Sequence, residues 1–111
     1  MTNPQKRKGD IAELEVAHMI ADLTGWPVRR KLGAGRTDDT GDLDGIPDTV
    51  CQVKSWADGL AAIRACIADL PTQRANAGAT HAVGLVRLRG GTWVAVMDVP
   101  TFCTWAREAV G

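Results

Sequence analysis

Val16, Ala17, Ile20 and Leu23 recur at the spacing of one helix face, and the periodicity runs from about Gly9 to Leu23. Gly25 closes that segment and Pro27 follows it, a common stop signal. "VRRKL" then predicts a short strand, and Gly33 to Gly41, rich in Gly and Asp, predicts a loop. "DLDGI" and "TVCQVKS" predict two strands joined through "IPDT" as a hairpin. Leu60, Ile63, Ile67 and Leu70 mark a second helix, which Pro71 is expected to kink or interrupt before Gly78. "HAVGLVRL" and "TWVAVMDV" flank "RGG", a second hairpin signal. A last helix is expected to start at Pro100, after Asp98 or Val99, and to carry Phe102, Trp105 and Ala106 inward. The order α-β-β-β-α-β-β-α predicts an α/β fold, a mixed β-sheet flanked by helices, in one domain over residues 1–111.

Polar residues interrupt this pattern where the core should be, in "GDLDGIPDTVCQVKSW". Strand side chains alternate between faces, so Gln52 and Lys54 project together while Cys51 and Val53 project the other way. Asp42 opens the neighbouring strand, and a hairpin would bring it near Gln52. On a helical wheel Glu13 falls on the stripe of Val16, Ala17 and Ile20, whereas Glu15 points nearly opposite. A carboxylate heading a core-facing stripe is costly unless it meets a cation or a metal. Glu13, Asp42 and Gln52 offer oxygen ligands, and oxygens suit Mg²⁺ or Mn²⁺. Such a set can hold a metal that activates water and offsets charge building on a phosphate, with the Lys54 ammonium steering the water or stabilising the pentavalent state.

Plainer readings compete. "DIAE" could be a capping box, with Asp10 as N-cap and Glu13 reaching back. Asp42 and Asp44 could be turn residues before Gly45, and Gln52 and Lys54 the wet face of an edge strand. The joint spacing of these residues favours a site.

Composition narrows the partners. The chain has 111 residues, 45% hydrophobic and 23% charged, with 13 basic and 13 acidic side chains. Zero net charge excludes a uniformly basic coat, so any nucleic-acid contact must use a local patch. Lys6, Arg7 and Lys8, then Arg29, Arg30 and Lys31, then Arg36 are the concentrations available. They would ring the site and track phosphates if the first helix lies beside the metal strands; otherwise they are ordinary solvated charges. Cys51, Cys66 and Cys103 are odd in number with no CxxC pair, which favours reduced thiols. No apolar run reaches the length of a membrane span, and "MTNPQKRKGD" is too polar for a signal peptide, so a cytoplasmic protein is expected. Gly33, Gly35 and Gly41 precede no GK[ST] and suit a mobile loop at the mouth of the site better than a phosphate cradle. His18 and His81 lack ligand partners at useful spacing and read as structural. Trp26, Trp93 and Trp105 read as packing, and Trp56, beside Lys54, could pack or touch a substrate. No Ser-His-Asp or Cys-His arrangement is visible.

"KGDIAELE" on a first helix, "GDLDGIP" after a Gly-rich loop, "CQVKSW", and a helix ending in "QRANAG" together resemble the PD-(D/E)XK nuclease superfamily. Within it the chain is most similar to archaeal-type Holliday junction resolvases and small resolvase-like proteins of bacteriophages, from about Lys8 to Trp105. The resemblance implies a restriction-endonuclease-like core. It assigns Glu13, four positions after Gly9, to the helix glutamate, Asp42 to the acidic metal position and Lys54 to the motif lysine. Gln73 matches, more weakly, a helix polar residue that faces the site or the DNA. Gln52 departs from the usual Glu or Asp: its carbonyl can still coordinate, but the site loses a negative charge. Asp44 stands where a small residue is commoner and could lend charge back if it points inward. The expected activity is metal-dependent DNA cleavage with Glu13, Asp42 and Gln52 on Mg²⁺ or Mn²⁺, acting on branched DNA as a homodimer, in the host cytoplasm if phage-encoded. The alternatives are a non-catalytic DNA-binding protein that keeps the fold, and a protein-interaction subunit.

Overall fold

The computed structural model describes residues 4–31 and 39–111, with Gln5 described by its backbone alone. Its elements are α1 (Pro4–Thr24), β1 (Arg29–Arg30), β2 (Leu43–Asp44), β3 (Thr49–Lys54), α2 (Gly59–Ala77), β4 (His81–Arg87), β5 (Trp93–Val96) and α3 (Val99–Val110). This is the order the hydrophobic periodicity predicts. The five strands lie in the sheet in chain order, β1-β2-β3-β4-β5. The pair β3–β4 is parallel and bridged by α2, while β1–β2, β2–β3 and β4–β5 are antiparallel. The molecule is a compact α/β domain built on a mixed sheet. Arg36, Gly33 and Gly35 lie outside the described residues.

Strand alternation divides the core between the two faces of the sheet. On one face Val16 and Ala17 of α1 meet Val28, Leu43, Cys51, Val83 and Leu85. On the other, Ala62, Cys66 and Leu70 of α2 meet Val50, Ala82 and Val86. Each fully buried Val or Leu contributes about 1.5–3 kcal/mol. Residues 81–86 of β4 are buried throughout, which explains why that strand reads as a continuous apolar run rather than an alternation. Gly84 sets the distance of α2: a Cβ there would lie 2.8 Å from Cys66 Sγ, so any side chain would push the helix off the sheet.

Several expectations are corrected. α1 begins at Pro4, not near Gly9, so Asp10 lies inside the helix and the capping box does not form. Leu23 is 80% exposed and Leu60 60% exposed. A 21-residue helix is about 31 Å long and outruns six-residue strands of about 20 Å, so residues near helix ends lose their cover. Pro71 does not interrupt α2, which continues to Ala77 and ends on Gly78 at φ 65. The burial of Leu70 and Gln73 on either side of Pro71 offsets the hydrogen bond its ring removes. α3 starts at Val99, with Asp98 as N-cap accepting from the Thr101 N–H at 2.8 Å. It buries none of its residues: Phe102 is 56% and Trp105 41% exposed. α3 follows an edge strand, and its polar link to the sheet is Glu108 on His81 at 2.6 Å. Among the described residues no helix is long and apolar enough to cross a membrane.

Candidate active site

The β2–β3 hairpin builds the centre of the site. Leu43 pairs with Cys51, and the Asp42 N–H donates to the Cys51 carbonyl at 2.7 Å. Continuing that register by one residue sets Asp42 opposite Gln52. Asp42 Oδ2 accepts the Val53 N–H at 2.7 Å, so the carboxylate is fastened to β3 and is no turn residue. Gly41 permits this approach: it sits at φ 93, and a Cβ there would come within 2.8 Å of the Cys51 carbonyl. At the far end Asp48, at φ 52, accepts the Thr80 N–H on its side chain at 2.9 Å and the His81 N–H on its carbonyl at 3.1 Å. One residue thus ties the hairpin turn to the start of β4.

β3 is flanked on both sides, and Gln52 is only 7% exposed, so the edge-strand reading fails. As the alternation requires, Cys51 packs toward α1 whereas Gln52 turns toward α2. Gln52 Nε2 donates to Asp69 Oδ2 at 3.3 Å, and its buried Oε1 has no hydrogen-bond partner among the described residues. Lys54 Nζ rests 4.6 Å from the centroid of Trp56, an exposed ring that supports the ammonium by cation–π attraction. Burial pushes the Cys51 thiol up to about 12, which leaves it inert on the opposite face.

Glu13 comes from α1. Its side chain is 19% exposed and pairs with Arg30 Nε at 3.7 Å, while Arg30 also binds Asp10 at 2.8 Å. Burial raises the Glu13 pKa above its ordinary value, the Asp42 charge raises it further, and Arg30 opposes both. Burial likewise raises Asp42; the Val53 N–H pulls it down, the Asp39 charge pushes it up, and Lys54 and Arg30 pull it down. Glu13, Asp42 and Lys54 therefore act on a common electrostatic neighbourhood, although they come from α1 and from two strands.

Would these residues suit a hard divalent cation? Among the described residues no three His, Cys, Asp or Glu side chains stand together as a metal cluster. The set at hand is different: two carboxylates raised toward protonation, plus an amide carbonyl buried without a partner. All are oxygens. Charged carboxylates crowded by burial and by each other are relieved by a cation, as is the Gln52 carbonyl. The donor chemistry fits Mg²⁺ or Mn²⁺.

The remaining predicted residues divide. Arg7, Lys8 and Arg29 are exposed, and Lys6 is exposed with a loose 3.3 Å pair to Asp10. Arg7 and Lys8 line a groove of about 380 Å³ with Ile11, Glu15, Ser55 and Arg87, at the end of β3 that carries Lys54. Arg30 is committed to Asp10 and Glu13, and so orders the site instead of lying open. Gln73 is corrected most: it is 2% exposed, beneath the surface, and its Nε2 donates to Asp39 Oδ2 at 2.7 Å. Asp44 is spent on Lys31 at 3.5 Å. Glu15 is opposite Glu13 as expected, yet it meets Arg87 at 3.5 Å and the Trp93 indole N–H at 3.2 Å. Trp93 packs on the α1-side core, whereas Trp26 is 40% exposed. His18 is exposed; His81 is buried against Glu108 and Trp105.

Sequence reasoning missed Asp39 and Asp69. Asp39 carries a local signal, an Asp two residues before Gly41, the signature of a side chain folding onto the backbone; its Oδ1 accepts the Gly41 N–H at 3.0 Å. Asp69 lies one helical turn before Gln73, on the face α2 turns to β3, and only the structure shows that pairing. Comparison of the chain with models of protein families, with curated proteins and with solved structures yields no match.

Proposed function

We propose that the protein is a metal-dependent endodeoxyribonuclease of the PD-(D/E)XK type, with a restriction-endonuclease-like core. The observation that carries this reading is Asp42: a half-buried carboxylate tied to Val53, opposite Gln52, whose charge acts on Glu13 and is itself met by that of Lys54. An ordinary core has no use for such a group, since each buried charge costs stability unless something charged is to be bound. Glu13, Asp42 and Gln52 would hold Mg²⁺ or Mn²⁺. When bound, the ion would supply an activated water and offset charge on the phosphate. Lys54, cradled on Trp56, orients its ammonium toward the same charges and stabilises the phosphate as bonds change. Arg30 holds Glu13 in place, and Arg7 and Lys8 in the adjacent groove contact the phosphate backbone. Branched DNA of the four-way-junction type is the substrate we assign, cut by a homodimer, since symmetric nicks need two sites.

Incubation with labelled four-way junction and plain duplex, in Mg²⁺, Mn²⁺ or EDTA, tests this directly. Metal-dependent cutting with preference for the junction is expected. Binding without cutting under every metal would instead favour a non-catalytic DNA-binding protein. One observation speaks for that second reading: Gln52 brings no charge and its amide is already engaged by Asp69.

A further inference from the structure

We propose that Trp56 is a stacking platform for an unpaired base of the DNA, placed beside the phosphate that Lys54 serves. The inference rests on the DNA-cleaving reading of the same site. Trp56 lies two residues past the end of β3, in the short link to α2. Its indole is 44% exposed and belongs to neither core cluster, so folding leaves much of the ring in water. Trp26 and Trp105 are exposed to a similar degree. Among the described residues, however, Trp56 is the ring that carries a cation, with Lys54 Nζ 4.6 Å from its centroid.

A nucleotide has a charged part and a flat part, and this end of β3 offers a surface for each. Ser55 lines the groove of about 380 Å³ that also holds Arg7, Lys8 and Arg87. Glu15 in the same groove pairs with Arg87 at 3.5 Å, which leaves the exposed Arg7 and Lys8 as the charge in excess. Ser55 joins the two surfaces: one neighbour in the chain is Lys54, the other the exposed ring. Cations hold phosphates, and an aromatic face beside them takes a base. Stacking is indifferent to sequence, because every base has a π face. It is not indifferent to structure. Inside a duplex each base is covered by its neighbours, and a face comes free only where pairing or stacking is opened, at a branch, a gap or an end. Phosphates are common to duplex and branched DNA, so the groove charges cannot tell them apart. Trp56 can.

Binding of the full-length protein to labelled oligothymidylate, four-way junction and plain duplex, read by fluorescence anisotropy in EDTA, tests the assignment without recourse to cleavage. Trp56→Ala should weaken binding to oligothymidylate and junction about tenfold or more, and to duplex by no more than about twofold. Trp56→Phe keeps a flat face and should retain most of the affinity, whereas Trp56→Met fills the space without one and should behave like Trp56→Ala. The slope of log affinity against log salt should be unchanged in Trp56→Ala, since stacking releases no counterions, but should fall by about one in Arg7→Ala. Trp56→Ala binding oligothymidylate like wild type, an equal loss on duplex, or Trp56→Met matching Trp56→Phe would each overturn the proposal. So would a loss confined to low salt, which would mark a charge effect carried through Lys54. Wild-type binding to all three DNAs with no part for Trp56 overturns this inference alone, whereas no binding to any of them overturns the nuclease reading with it.

Discussion

Gln52 donates its amide to Asp69 at 3.3 Å across the β3–α2 interface, with its own carbonyl left unpartnered among the described residues. Gln52→Glu therefore sets a buried carboxylate against the exposed Asp69 at the edge of that interface. Without metal this variant should lose about 1–3 kcal/mol, a fall in Tm of several degrees for a domain of this size. Mn²⁺ should recover more Tm in the variant than in wild type, and the metal needed for half-maximal cleavage should drop. Thermal melts with and without Mn²⁺ check this. Identical metal responses in Gln52→Glu, Gln52→Ala and wild type would remove Gln52 from the ligand set.

Glu13 and Glu15 separate the chemistry from the scaffold. Glu13→Ala should lower cleavage by about tenfold or more, on the order of 1.4 kcal/mol in barrier. Glu15→Ala releases Arg87 and the Trp93 indole but should leave cleavage close to wild type. Equal losses in steady-state rate would show that the two faces of α1 do not divide the work this way.

Lys54→Ala should abolish cleavage while DNA binding and the thermal melt stay near wild type. The ammonium is at the sheet end and is supported by an exposed Trp56, so the fold does not depend on it. A variant cutting at the wild-type rate would exclude Lys54 from the mechanism.

Asp42 is held at a cost in stability. Burial holds its pKa above the ordinary 3.8, so it favours folding while protonated, and that contribution is lost as pH rises through the raised native value. At pH 7 the ionised group is a net cost. Asp42→Asn can still accept the Val53 N–H, and should raise the Tm of the metal-free protein at pH 7 while cleavage disappears. The gain should shrink as the pH falls through the raised native value, where wild-type Asp42 takes up its proton. A gain independent of pH, or none at pH 7, would show that the native charge is not under strain.

The hairpin around Asp42 was legible because a period of two puts Gln52 and Lys54 on one face whatever surrounds them, and the Gly41 and Gly45 punctuation fixes the strand ends. Glu13 was legible from the helix wheel for the same reason. Helix coverage was not: Leu23, Leu60, Phe102 and Trp105 obey the periodicity yet lie where no sheet reaches them. Periodicity gives the direction of a side chain, whereas burial depends on what stands opposite. Pairings between distant charges, such as Arg30 with Glu13, Lys31 with Asp44 and Gln73 with Asp39, depend on tertiary placement that no local pattern encodes. Asp10 shows the cost of a local rule, since a helix that starts earlier turns a cap into an ion pair.

Because the strands lie in chain order, Asp42, Gln52 and Lys54 come together by closing one hairpin, an event of about 1–10 μs. Glu13 must arrive from α1 across a longer stretch of chain, and Arg30 on β1 is what receives it. Assembly is thus split in time between a part that sets itself and a part that must be delivered. Lifting α1 from the sheet would withdraw Glu13 and strip the cover from Leu43 and Cys51, whereas the backbone pairing that sets Asp42 opposite Gln52 lies within the hairpin itself.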